Sequence, residues 1–200
     1  MQKTTLLLFL VLILYSCSES NLKDYNSEIN QLRKDKNKNF SNPDKSPLEK
    51  SDVKHFVGLD YFPVDSTYKV VAQLEKVKDS TVIQMATTKE GDVRNYLRFA
   101  LAHFKLNEQE FSLSLYIDPE EQKELFIPFT DETNGNSTYG GGRYMDIAFE
   151  DKTVTSLKID FNKAYNPYCV YNNNFSCPIP PQENHIPLEV KAGEKNYKTH

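Results

Sequence analysis

Glu110-Phe111-Ser112-Leu113-Ser114-Leu115-Tyr116-Ile117 puts apolar side chains at Phe111, Leu113 and Leu115 with serines between them. Successive side chains of an extended chain point to opposite faces, so a period of two marks a strand with one buried face. Similar segments flank it, and the pattern predicts strands over 68–75, 81–87, 95–106, 110–117, 124–130, 143–149 and 154–161, with a last one over 188–192. The links at Lys78-Asp79 and Asn107-Glu108 are short enough for antiparallel hairpins. Twelve Tyr and twelve Phe suit pleated, half-buried surfaces. The expected fold is mainly β, an antiparallel barrel or sandwich, preceded by one or two N-terminal α-helices.

Upstream of the strands the pattern changes. Leu22, Tyr25, Ile29 and Leu32 recur at spacings that share one helix face, with 37–44 expected as a linker. Ser46-Pro47-Leu48-Glu49 has the form of a helix start: a capping serine, a proline at the first helical position and a glutamate able to reach back. That helix is expected to end near Phe56, before Gly58.

The N-terminus carries one cation, Lys3, followed by an unbroken apolar or aromatic run from Leu6 to Tyr15. Ten residues are too few to span a bilayer, which takes roughly 20, but suit a signal-peptide core. Leu14-Tyr15-Ser16-Cys17 then has the order of a lipobox. The expected layout is a signal peptide over 1–16, a lipidated tether and amphipathic helix over 17–45, and one β-rich domain over 46–198. Cleavage would leave 184 of the 200 residues and move the formal charge from −4 to −5. Acyl chains on Cys17 would anchor the domain to a membrane of the cell envelope, on the periplasmic or surface face of the outer membrane of a Gram-negative bacterium. Mild acidity without a basic cluster argues against nucleic acid as a partner. No motif implies a cofactor.

Residues 162–187 are dense in Asn, Pro and Tyr and lack strand periodicity. An irregular stretch of this length inside a compact domain is often functional. Around it stand Asp160-Phe161-Asn162-Lys163-Ala164-Tyr165-Asn166-Pro167-Tyr168-Cys169, Cys177-Pro178-Ile179-Pro180-Pro181, Glu183-Asn184 and Ala192-Gly193-Glu194-Lys195. Together with Gly58-Leu59-Asp60-Tyr61-Phe62-Pro63-Val64-Asp65, Leu125-Phe126-Ile127-Pro128-Phe129 and Thr138-Tyr139-Gly140-Gly141-Gly142-Arg143-Tyr144, these closely resemble the family called domain of unknown function 1684, over roughly residues 25–195. His185 stands where the family pattern leads one to expect Arg. The resemblance implies membership of an uncharacterised family, with lipid-anchored proteins of Bacteroidota-type bacteria as the nearest in kind, and leaves mechanism open.

Beyond the lipidation site, Cys169 and Cys177 are eight positions apart. A structural disulfide, two free thiols at a ligand or catalytic site, and a metal site are all readings of such a pair. Zinc ligands usually lie two to four residues apart within a hairpin, which disfavours the metal, even with His185 eight further on. Nucleophilic catalysis would need a base beside Cys169, with His185 or Glu183 as the candidates. Arg143 is a fixed cation expected to pair with Asp160 or Glu183, or else to meet an anionic ligand. Asn162, Asn166 and Asn184 either support turns or, with Tyr165 or Tyr168, line a polar pocket suited to a sugar or peptide-like ligand. Asp65-Ser66-Thr67 and Asp79-Ser80-Thr81 match a short O-glycosylation pattern. The expected function is binding of a small polar ligand or partner near Arg143, Asp160, Asn162, Asn166, Glu183, Asn184 and the cysteine loop. The rivals are a cysteine-dependent hydrolase and a purely structural envelope module.

Overall fold

The computed structural model describes residues 22–77, 82–149 and 153–197. The leader, Cys17 and the Asp79-Ser80-Thr81 motif lie outside the described residues. Helix α1 runs over 22–40, and α2 (Lys50–Val53) is a single turn. Eight strands follow: β1 (Lys69–Lys76), β2 (Val82–Ala86), β3 (Val93–Leu106), β4 (Gln109–Ile117), β5 (Glu124–Asp131), β6 (Arg143–Ala148), β7 (Ser156–Asp160) and the two-residue β8 (His185–Ile186). They form one curled half-barrel sheet in the order β6-β5-β4-β3-β1-β7, with β2 beside β3. Pairing is antiparallel except for β8, which runs parallel to β5.

The mainly β expectation holds, and the differences have local causes. The links differ in kind: β3 and β4 join through Asn107 and Glu108, both at positive φ (50° and 62°), as a tight hairpin with the right twist requires. By contrast β1 and β2 do not make the expected hairpin; both pair with β3, one against each half of that 14-residue strand. The linker expected over 37–44 is partly helix, because Phe40 at the end of α1 packs against Leu48, Val170 and Tyr171. The helix expected from Ser46 shrinks to one turn: the Ser46 hydroxyl accepts from Leu48 N at 3.2 Å, and burial of Leu48 holds the chain there in a turn. Finally, 188–192 is no strand. The carbonyls of Val190 and Ala192 are taken by the Arg143 guanidinium, which leaves no ladder for a neighbouring strand to complete.

Register divides the sheet into two faces. Leu113, Leu115 and Ile117 of β4, Leu125, Ile127 and Phe129 of β5, and Met145 of β6 enter the main core with Ala102, Phe104, Ile159 and Phe161. Each buried Leu contributes about 1.5–3 kcal/mol. Residues 186–192 close this core through Ile186, Val190 and Ala192. The alternate residues Ser114, Tyr116, Phe126, Pro128, Tyr144 and Asp146 face the other way. A bulge between Arg98 and Ala100 changes the parity of β3. Ala100 and Ala102 therefore enter the core, while Arg98, opposite Tyr116, and Tyr96 point to the second face.

The irregular segment crosses that second face. Tyr165 bridges Tyr144 of β6, and Ile179 N donates to Ala86 O of β2 at 2.8 Å. Helix α1 lies against the start of this segment and its flanks: Asn162 Nδ2 donates to the Tyr25 hydroxyl at 3.0 Å, the Tyr25 hydroxyl donates to Asp160 Oδ1 at 2.8 Å, and the Lys36 ammonium sits 2.5 Å from Glu194 Oε1. The helix is thus part of the folded body. Its sequence face is only half buried, since Tyr25 and Ile29 are covered while Leu22 and Leu32 are exposed.

Candidate functional site

Five of the six residues expected to bind a ligand are internal struts. Arg143 is 0% exposed, and its partner is neither Asp160 nor Glu183. It donates to Asp131 Oδ2 at 2.8 Å, to the carbonyls of Val190 and Glu194 at 2.9 and 3.3 Å, and to that of Ala192. Its four amino protons are consumed by protein acceptors, so the guanidinium has none of them left for an anion. Asp160 caps the 3₁₀ turn Phe161–Lys163 through Asn162 N and receives Tyr25. Asn162 reaches Asp65 through N–H and carbonyl alike. Asn166 ties its own N–H to Glu194 Oε2 at 2.8 Å and its amide to Lys195 O. Asn184 holds Ser114 and Pro128. Glu183 alone is exposed, and it accepts from Arg98 at 2.5 Å and from the Tyr116 hydroxyl at 3.1 Å. These residues are spread around the sheet and do not enclose a common space.

A cavity lies apart from them, on the second face of the sheet. Tyr96, Phe126, Tyr144 and Asp146 from the second face of the sheet, Tyr165, Tyr168, Phe175, Ser176, Cys177 and Pro178 from the crossing segment, and Lys36 from α1 line a cavity of about 420 Å³. That is the size of a small-molecule site. Its rings brace one another: Tyr96 and Phe126 stack at 5.1 Å, while Phe126–Tyr144 and Tyr144–Tyr165 meet edge-on at 4.9 and 5.8 Å. Tyr168 and Phe175 pair at 5.2 Å and remain partly exposed. The Tyr144 hydroxyl is spent on Pro178 O, and that of Tyr165 on Asp146. The Lys36 ammonium lies 4.7 Å above the Tyr165 ring while paired with Glu194. Burial pushes the Tyr144 hydroxyl far above its ordinary ionisation range, with the two cysteine sulfurs adding to it. The walls are therefore uncharged and aromatic, with one anion and one cation at the edge.

Cys169 and Cys177 are free thiols side by side. The Cys169 N–H donates to Cys177 Sγ at 3.2 Å, and the Cys177 N–H donates to Thr88 Oγ1 at 3.2 Å. Cys177 is buried in the cavity wall, and Cys169 is partly exposed. The neighbouring Cys177 thiol, and after it the hydroxyls of Thr88 and Tyr139, favour the Cys169 thiolate and bring its pKa down to about 6 against the opposing effect of burial. Cys177 moves the other way, first because its proton is held by Cys169 and then because it is buried. The bases expected beside Cys169 are engaged elsewhere: His185 bonds Thr130 and Glu132, and Glu183 bonds Arg98 and Tyr116.

Sequence reasoning missed Asp131 and Glu194, the buried acids that organise the C-terminal wrap, and all of the aromatic wall except Tyr165 and Tyr168. Glu194 is 1% exposed and receives Lys36, Tyr61, Asn166 and Tyr171. A glutamate beside glycine in Ala192-Gly193-Glu194-Lys195 was the available sign. Tyr96 had none, because the bulge in β3 redirects it.

Residues 54–195 match a family model described as Protein of unknown function (DUF1684). The structure is similar to the solution NMR structure of an uncharacterized protein of Haloarcula marismortui, at 31% identity and a TM-score of 0.70, covering 91% of this chain and 100% of that one. No curated protein matches the sequence.

Proposed function

The chain belongs to the DUF1684 family, and from that premise we propose that it is a lipid-anchored cell-envelope protein whose β domain binds a small ligand with a flat apolar body and a polar group. The observation that carries the binding role is the cavity of about 420 Å³ walled by Tyr96, Phe126, Tyr144, Tyr165, Tyr168 and Phe175. Flat faces favour a planar or cationic body, and Asp146 at the edge offers a carboxylate to a donor on it. This moves the binding site from the buried Arg143 and Asn residues to the aromatic cavity that the cysteine loop itself helps to line.

Support for the anchor is the apolar run of residues 6–15 with Leu14-Tyr15-Ser16-Cys17 directly after it. From Cys17 to residue 22, where α1 begins, the chain can reach at most roughly 17 Å. Because α1 packs on the domain, the domain would lie close against the membrane that holds the lipid, an outer membrane of Bacteroidota type.

Saturation-transfer NMR of the full chain in detergent, against aromatic amines, aromatic acids and monosaccharides, tests the site. Aromatic amines are expected to give transfer that Phe126→Ala and Asp146→Asn each weaken at least about tenfold, a difference of about 1.4 kcal/mol or more. Transfer indifferent to both substitutions, or none from any class, would remove the cavity as the binding site.

A further inference from the structure

The cysteine pair has an asymmetry that ligand binding in the cavity does not use. Cys169 is partly exposed, and its N–H donates at 3.2 Å to the sulfur of Cys177, which is buried. We propose that Cys169 and Cys177 form a dithiol exchange site, in which Cys169 attacks a small organic disulfide from solvent and Cys177 resolves the product.

The step balances without any further oxidant. The Cys169 thiolate forms a bond to one sulfur of R–S–S–R, and the S–S bond breaks to release R–S⁻, which takes the Cys177 proton. Cys177 then attacks the Cys169 sulfur, the mixed disulfide breaks and a second R–S⁻ leaves. Two electrons pass from the dithiol to the disulfide, and Cys169 and Cys177 become an internal disulfide; the reverse oxidises a pair of external thiols. Geometry assigns the order. Attack needs an accessible thiolate, which Cys169 offers, whereas resolution needs only a neighbouring sulfur, and Cys177 Sγ already meets the Cys169 N–H at 3.2 Å. Thr88 and Tyr139 are positioning residues, because their hydroxyls favour the Cys169 thiolate and touch no substrate.

Hydroxyethyl disulfide added to the reduced full chain in detergent, with samples alkylated and mapped by peptide mass spectrometry, tests the proposal. Wild type is expected to pass through a mercaptoethanol adduct on Cys169 to a Cys169–Cys177 cross-link. Cys177→Ala is expected to stop at the adduct, and Cys169→Ala to react about tenfold more slowly or worse; the gain in thiolate at Cys169 is offset only in part by its lower intrinsic nucleophilicity. Tyr139→Phe should raise the pH midpoint of the Cys169 reaction and leave cross-linking intact, whereas an unmoved midpoint would overturn the role of the hydroxyls. An adduct appearing first on Cys177, or an end state with both thiols free, overturns the site. Should a variant fail to fold, the order of species in wild type still decides.

Discussion

The side-chain amide of Asn184 takes both backbone groups of Ser114, accepting from its N–H at 2.7 Å and donating to its carbonyl at 2.9 Å. Strands β4 and β5 pair directly only at Tyr116 and Phe126. Beyond that point β5 carries Pro128, which has no N–H to give, and the strands are bridged by Asn184, which also donates to Pro128 O at 2.7 Å. One side chain from the irregular segment completes the ladder at the place where the sheet cannot.

Asn184→Ala should therefore destabilise the fold by about 2–4 kcal/mol, because it leaves buried Ser114 and Pro128 groups without partners. Asn184→Asp keeps an acceptor and loses both donors, so it should not rescue. Urea unfolding followed by circular dichroism, read as a lower midpoint at unchanged slope, checks this; an unchanged midpoint would show that water replaces the amide.

Arg143 and Asp131 are both 0% exposed in their side chains, 2.8 Å apart. Removing one partner strands the other charge, and Arg143→Ala should cost about 3–5 kcal/mol. The loss should be concentrated in residues 186–194, whose carbonyls the guanidinium holds, and hydrogen exchange there should accelerate before the β3–β4 ladder responds.

Gly193 adopts φ +78°, and a Cβ there would lie 2.6 Å from Ala164 O. The left-handed backbone costs an L-residue about 1–2 kcal/mol, and the close backbone adds to it. Gly193→Ala should lower stability by at least about 2 kcal/mol and loosen Glu194, while Gly91→Ala, with open space around its Cβ site, should cost only the backbone part. Equal midpoints for the two variants would count against the close packing of the C-terminal wrap.

Iodoacetamide labelling of Cys169 in the reduced native protein should rise through about pH 6. The folded value lies below the ordinary thiol range near about 8.5, so the thiolate persists as pH falls from that range and is lost only through about 6. In urea the midpoint should return to the ordinary range. Cys177 shifts upward and should stay unlabelled over the same interval. A native midpoint in the ordinary thiol range would show that the hydroxyls do not hold the thiolate.

If Cys17 is the lipid attachment point, Cys17→Ser should abolish labelling by radioactive palmitate and move the protein from the membrane fraction to the soluble one. Retention in the membrane fraction without label would mean that another part of the chain holds it there.

The legible part of the fold is what alternates along the chain. Seven strand segments can be read because apolar side chains on every second residue are a local signal, and the hairpin at Asn107-Glu108 from its short link. The same signal misleads at Lys78-Asp79, where β1 and β2 both pair with β3. Helix α1 is legible from Tyr25 and Ile29 in the same way, and its C-terminal end at Phe40 is not, since that turn is held by Leu48 and Tyr171. The cysteine loop stands out as an irregular stretch. Of the polar residues expected to meet a ligand around it, Asn184, Asn162 and Arg143 spend their hydrogen bonds on backbone groups instead. Nothing in a sequence marks which distant carbonyls will lack a partner.

By itself, then, the sequence determined that this chain is a β protein with a helical N-terminal segment and an irregular Asn- and Pro-rich stretch holding two cysteines, because periodicity and turn chemistry act between near neighbours. Tertiary structure alone decided that Asp131 neutralises Arg143, that a bulge at Phe99 turns Tyr96 onto Phe126, and that Thr88 and Tyr139 favour the Cys169 thiolate. Each joins residues far apart in the chain or depends on the parity of one strand, and only the closing of the sheet brings them within reach.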